Sequence, residues 1–145
     1  MKIALALAFF ALLAPTGPAT GKSVLGKWKT PNGSVVDIYQ CGGDVCAKLI
    51  EVSKQVPTHV DVQNPNPALR KRPLCGLKIG YGFHMTSTNH AQDGRLYDPE
   101  SGNTYSGWMT AQGNTLQLRG YIGISLFGRT ETWTRAQDNV TSCRG

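Results

Sequence analysis

The feature that most constrains this chain is its punctuation. Between about residue 25 and residue 135, short runs rich in β-branched and aromatic side chains alternate with clusters of Gly, Asn, Asp and Pro. That rhythm belongs to antiparallel β-structure, in which each reversal needs residues that tolerate turn geometry. The spacing predicts strands near 25–30, 34–41, 45–52, 77–86, 94–98, 103–110, 114–121 and 126–135. Pro31-Asn32-Gly33, Gly42-Gly43-Asp44 and Ala111-Gln112-Gly113-Asn114 supply explicit hairpin turns. Eight strands with almost no helical periodicity imply an all-β barrel or sandwich.

One connection breaks the rhythm. Between the third and fourth strands lies the segment Ser53–Gly76, which carries Pro65, Pro67 and Pro73 around the basic run Arg70-Lys71-Arg72. Structureless connections of this length are usually lids, binding loops or linkers. In an up-and-down order, connections after odd-numbered strands emerge at one end, so this loop should gather with the turns near 31–33, 97–102 and 122–125. An eight-stranded barrel is just wide enough to be filled by side chains or to hold one small ligand. The loop is therefore expected to act as a semi-rigid portal over a barrel mouth. Arg70 and Arg72 would draw an anionic head group or make transient contact with the envelope.

The N-terminus reads as a leader rather than as part of the fold. Met1 and Lys2 precede an apolar run from Ile3 to Ala14, which Pro15, Gly17 and Pro18 then break. This pattern fits a signal peptide, residues 1–19, leaving 20–145 as one domain. The run is too short to span a bilayer core, and no cysteine near the cut suggests a lipid anchor. Loss of Lys2 lowers the formal charge from +6 by one. The remaining basic residues are scattered apart from the 70–72 run, which argues against a nucleic-acid partner. Cys41, Cys46, Cys75 and Cys143 all lie beyond the cut, and an even count behind an export signal implies two disulfides in an oxidising compartment. Three connectivities are open. C-x4-C is not a C-x-x-C redox motif, and scattered His59, His84 and His90 do not make a zinc site, so no metal or cofactor is expected.

Candidate binding residues follow from alternation. In the fourth strand Leu77, Ile79, Tyr81, Phe83 and Met85 share one face, and Lys78, Gly80, Gly82 and His84 the other. The apolar stripe forms core or cavity wall, which makes Tyr81 and Phe83 candidate ligand contacts together with Tyr97 and Tyr105. In the last strand Phe127, Arg129, Glu131, Trp133 and Arg135 share a face. If that face points inward, Arg129 is a cation in need of a partner, either Glu131 or a ligand carboxylate or phosphate. Asp98 and Glu100 could serve acid/base chemistry but sit in an ordinary Asp-Pro…Ser-Gly turn. Gly123-Ile124-Ser125-Leu126-Phe127-Gly128 lacks the spacing and context of a nucleophile elbow. An enzyme is the least favoured reading.

The pair Gly26-Lys27-Trp28 and Trp133-Thr134-Arg135 resembles the floor of the calycins, the superfamily of lipocalins and fatty-acid-binding proteins. A longer series, Y-Q-C-G-G-D-V-C, D-V-Q-N-P-N-P-A-L-R-K-R-P-L-C-G, Y-D-P-E-S-G-N-T-Y and L-R-G-Y-I-G-I-S-L-F-G-R-T-E-T-W-T-R, resembles domain of unknown function family 2147, small exported bacterial proteins. The resemblance implies a Gram-negative periplasmic or secreted protein built as an eight-stranded antiparallel up-and-down lipocalin-like barrel. Trp28 and Arg135 would close the floor through a cation–π contact. Fatty-acid-binding proteins anchor ligands with an inward arginine on a late strand, which adds weight to Arg129. Cys41, Cys46 and Cys75 match the family pattern, whereas Cys143 is an addition. Cys41 and Cys46 flank a hairpin loop and should pair across it. Cys75 with Cys143 is then the default, matching the tail-to-barrel tie of many lipocalins. The expected function is binding of a small apolar or amphipathic, anionic molecule through Tyr81, Phe83, Tyr97, Tyr105, Arg129, Arg70 and Arg72. The alternative is an envelope protein-interaction module with a filled barrel.

Overall fold

The computed structural model describes residues 22–137, 139–140 and 143, and the expected signal peptide lies outside the described residues. Eight strands follow in chain order: β1 (Gly26–Lys29), β2 (Val35–Cys41), β3 (Asp44–Glu51), β4 (Lys78–Ser87), β5 (His90–Asp98), β6 (Asn103–Gln112), β7 (Thr115–Tyr121) and β8 (Gly128–Arg135). Each pairs antiparallel with the next, and β8 returns to β1 to close an up-and-down barrel, as expected. Most strand ends fall within one or two residues of the sequence reading, and two of the differences have a plain structural cause. β5 starts at His90 because a bulge at Gln92 and Asp93, with Asp93 at φ 59°, lets the ladder with β6 run on past the irregularity. β8 starts at Gly128 because Ser125–Phe127 forms a single 3-10 turn.

Closure is concentrated at one end. Trp28 and Lys29 pair with Arg135 and Thr134, and the Arg135 guanidinium lies 3.8 Å from the centre of the Trp28 ring. Arg135 Nη1 and Nη2 donate to the Leu25 and Ser23 carbonyls, each at 3.0 Å, while Trp28 Nε1 donates to the Val24 carbonyl at 2.8 Å. The Val24 N–H in turn reaches the Thr88 carbonyl of the β4–β5 turn. These bonds draw residues 23–25 across the barrel floor and supply donors and acceptors that burial would otherwise leave unmet. Above the floor, Ile38, Phe83, Met109 and Leu116 fill the lower interior. The Phe83 ring occupies the space that a side chain at Gly94 would need.

The simple alternation expected for β4 does not hold. Ala47 pairs with Gly80 while Lys48 pairs with Lys78, so Ile79 is an extra residue and both Ile79 and Gly80 face inward. A second extra residue at Gly82, whose φ of 72° suits glycine, restores the phase for Phe83. Between the two bulges Tyr81 turns outward, paired with exposed Arg95. Tyr81 is therefore removed from the inner stripe.

Cys41 and Cys46 form the expected disulfide across the β2–β3 hairpin. The default pairing of Cys75 with Cys143 is not observed, and both thiols are free and half-buried. Each cysteine is positioned by backbone bonds to different residues of β3: Gly76 N–H donates to the Leu49 carbonyl, and Cys143 N–H to the Ile50 carbonyl. The tail reaches that point across β1, where Ala136 N–H meets the Lys27 carbonyl and Lys27 Nζ meets the Val140 carbonyl. No helix among the described residues is long and apolar enough to cross a membrane.

If the Trp28 floor carries closure, Trp28→Ala should destabilise the barrel by about 3 to 5 kcal/mol, the usual range for a fully packed aromatic. Urea unfolding checks this, and an unchanged midpoint would show that closure resides elsewhere.

Candidate functional site at the barrel mouth

The far end of the barrel gathers the connections that follow odd-numbered strands, as the topology required. Pro31 and Asn32, the long loop between β3 and β4, the β5–β6 turn and the β7–β8 loop surround a cavity of about 500 Å3. Its deep wall is apolar: Val36, Leu49, Ile79, Leu96, Leu118 and Trp133. Val56 and Leu74 of the long loop cover it, and Tyr97, Tyr105, Tyr121 and Arg129 stand around it. The volume lies within the range of small-molecule sites, and an apolar wall with a few convergent polar groups is their usual composition.

The cavity also opens sideways. β1 ends at Lys29, so the β8 residues Gly128–Trp133 have a strand neighbour on the β7 side alone. Thr30, Pro31 and Asn32 on one side of this seam and Arg129, Glu131 and Trp133 on the other all line the cavity. Arg129 through Thr132 are consequently exposed although they belong to a barrel strand.

Charge at the mouth is unevenly committed. Glu131 Oε2 accepts from Trp133 Nε1 at 3.0 Å. Asp98 accepts from the Glu100 N–H at 3.0 Å and the Ser101 hydroxyl at 2.7 Å, and Glu100 accepts from Asn32 Nδ2 at 2.9 Å. Asp98 and Glu100 hold turns, the ordinary turn chemistry expected of their motif. The Arg129 side chain makes no hydrogen bond or ion pair among the described residues.

The long loop is fastened rather than loose. Asp61 is fully buried, and its carboxylate accepts from Tyr97 Oη at 2.5 Å, Asn64 Nδ2 at 2.8 Å and Arg72 Nε at 2.8 Å. Arg72 also lies 5.7 Å from the Tyr97 ring centre. Arg70 Nε donates to the Asn64 carbonyl, and the Asn64 and Asn66 side chains accept backbone N–H groups two residues on. A side chain at Gly102 would collide with the Gln63 carbonyl, so the loop backbone rests directly on the β5–β6 turn. Burial pushes the Asp61 carboxyl upward, but hydrogen bonds from Tyr97, Asn64 and Arg72 and the Arg72 charge outweigh it and leave the pKa lowered. Burial and the bond to Asp61 push the Tyr97 hydroxyl up to about 12.

Of the seven residues expected to contact ligand, the fold brings Tyr97, Tyr105 and Arg129 to the cavity. Phe83 is fully buried in the lower core and Tyr81 is outside. Arg70 and Arg72 are not part of the lining; they tie the loop to itself and to Asp61, because a buried carboxylate needs donors more than the mouth needs cations. Asp61 and Asn64 are the site residues whose role the sequence reading missed. The repeat Asn64-Pro65-Asn66-Pro67 was the available signal, since Asn side chains readily accept from the backbone two residues on.

A closed eight-stranded antiparallel barrel with an apolar cavity at one mouth and an arginine–tryptophan floor at the other defines a lipocalin-like protein. A solved structure described as "Protein HP1028 from the human pathogen Helicobacter pylori belongs to the lipocalin family" is similar at a TM-score of 0.72 and 25% identity, covering 82% of this chain and 86% of that one. The chain belongs to the family DUF2147, described as an uncharacterized protein conserved in bacteria, whose profile matches residues 26–135. No curated protein matches.

The Asp61 cluster gives a pH signature. Asp61, with its folded pKa lowered, contributes stability that is present above the ordinary value of 3.8 and is lost as pH falls through the folded value. Tyr97, raised, contributes stability that is present below the ordinary 10.0 and is lost as pH rises through about 12. Tyr97→Phe should lower stability by about 1 to 3 kcal/mol at neutral pH by depriving a buried carboxylate of a donor. It should also remove the alkaline limb of the stability profile. An unchanged profile in that variant would mean that the cluster does not hold the loop.

Proposed function

We propose that the protein is exported to the periplasm, loses residues 1–19, and there binds a small amphipathic anionic molecule in the barrel mouth. The observation that carries this reading is the cavity itself: an apolar volume of about 500 Å3 whose seam is bordered by one cation, Arg129, with no side-chain partner among the described residues. An apolar chain would displace water from Val36, Leu49, Ile79, Leu96 and Leu118, at roughly 25 cal/mol per Å2 of apolar surface buried. The acidic end would then meet Arg129, with the Tyr97 and Tyr105 rings beside it. Glu131 Oε2 is engaged with Trp133 Nε1, and Glu131 forms no ion pair with Arg129 among the described residues.

Export is supported by the leader-like N-terminus and by the Cys41–Cys46 disulfide, which persists in oxidising compartments. The competing reading, a filled barrel that serves only as an interaction module, fits poorly with an open upper half. Binding as described requires no cofactor and no chemical step.

Stopped-flow fluorescence with a labelled fatty acid tests the anchor. Arg129→Gln should accelerate release several-fold with little change in association, because the ligand head group would cover the exposed guanidinium and loss of one partner of that covered charge pair acts mainly on dissociation. Equal release from wild type and variant would remove Arg129 from the site. Failure of the wild type to bind any amphiphile tested would favour the interaction module.

A further inference from the structure

The β7–β8 loop presents an anomaly that ligand binding alone does not explain. Ile122, Ile124, Leu126 and Phe127 are 68%, 59%, 75% and 76% exposed, four large apolar side chains within six positions. The loop is not left to collapse onto the barrel. Arg119 Nε and Nη2 both donate to the Ser125 carbonyl, at 3.1 and 2.7 Å, and Nη2 also reaches the Leu126 carbonyl at 3.4 Å. Arg119 Nη1 donates to Thr130 Oγ1 across the base of the loop at 3.0 Å. A strand arginine thus braces the 3-10 turn in a shape that holds its apolar side chains in water. Single exposed apolar residues need no explanation, but a braced contiguous group marks a contact surface.

We propose that this loop is a membrane-docking tip that inserts into the interfacial layer of an anionic lipid bilayer, placing the barrel mouth against the lipid. Three features favour a bilayer over a protein. First, the tip from Ile122 to Gly128 contains no charged side chain and one hydroxyl, whereas a protein interface normally surrounds its apolar centre with a polar rim. Second, Ile122 and Phe127 are at once exposed and part of the cavity lining, so the inserted surface is continuous with the cavity wall. Third, cations lie at the same end of the barrel: Arg129 follows the tip directly, and exposed Arg70 and Lys71 are on the long loop that covers this mouth. Asp98, Glu100, Glu131 and the exposed Glu51 at the end of β3 stand at this end too; the first three are engaged in hydrogen bonds within the protein, and the chain without Lys2 still carries a positive formal charge, one below +6. Apolar insertion combined with attraction to anionic head groups is the usual basis of reversible interfacial binding.

The test is vesicle flotation of protein purified from a bacterial envelope, with its N-terminus read by mass spectrometry so that any contribution of the Ile3–Ala14 run is known. Vesicles of phosphatidylglycerol with phosphatidylethanolamine are compared with vesicles of phosphatidylcholine, without added ligand, so the outcome does not depend on cavity binding. Ile124 and Leu126 do not line the cavity and are exposed, so the double variant Ile124→Ser, Leu126→Ser should fold normally. It should lose about tenfold or more in partitioning onto the anionic vesicles, given the apolar area it removes. In a second variant, Phe127→Trp, the new indole emission should shift to the blue on vesicle addition. Equal partitioning of wild type and the double serine variant would overturn the proposal, as would no wild-type binding to either vesicle. Concentration-dependent self-association abolished by the serine variant, without vesicle binding, would assign the tip to a second copy of the chain instead.

Discussion

The structure depends on how β1 and β8 meet. Closing an antiparallel sheet removes its edges, and here the closing ladder is only two residue pairs long, Trp28 with Arg135 and Lys29 with Thr134. So short a seam holds because it is reinforced from within. The guanidinium stacks on the indole, and both side chains bind the backbone of residues 23–25. A cation–π contact that is only partly desolvated contributes on the order of 1 to 2 kcal/mol, and the hydrogen bonds keep partial burial of the arginine from offsetting it. The same brevity has a second effect. Because β1 stops at Lys29, the upper half of β8 is left without that neighbour and the cavity gains a side opening. Stability at the floor and access at the mouth are two results of one strand length.

The division between a filled lower half and a hollow upper half follows from residue size and from the long loop. Phe83, Met109 and Leu116 occupy the lower interior, whereas the upper walls are aliphatic and end in tyrosines. The long loop closes part of the mouth, and it does so as an ordered cover: Asp61 ties it to Tyr97 on β5 and to its own Arg72. Tyr97 therefore serves both the cover and the cavity wall, which links loop position to the shape of the site.

Much of this architecture was legible in the sequence, and the reason is locality. Turn chemistry at Pro31-Asn32-Gly33 and Gly42-Gly43-Asp44, together with short alternating runs, was enough to count the strands and to place the long loop at one mouth. The Trp28–Arg135 floor and the Cys41–Cys46 bridge followed from motif and spacing. What was not legible depended on the partner strand. Tyr81 left the inner face because bulges at Ile79 and Gly82 shift the register against β3, and nothing in the β4 sequence alone demands both. Arg72 resembled a solvated cation because its partner, Asp61, is buried by residues distant in sequence. Cys143 and Cys75 are both free although backbone bonds bring Gly76 and Cys143 to neighbouring residues of β3, Leu49 and Ile50, and nothing in the structure explains why they stay unpaired.

The central claim is that the upper cavity receives a small amphiphile. Native mass spectrometry of protein purified gently from a periplasm, before and after incubation with an extract of envelope lipids, tests it most directly. The account predicts a discrete adduct of one molecule per chain that is released when the barrel is unfolded and is weakened when Leu118 in the cavity wall is enlarged to Trp. A chain that remains bare in both preparations would contradict it.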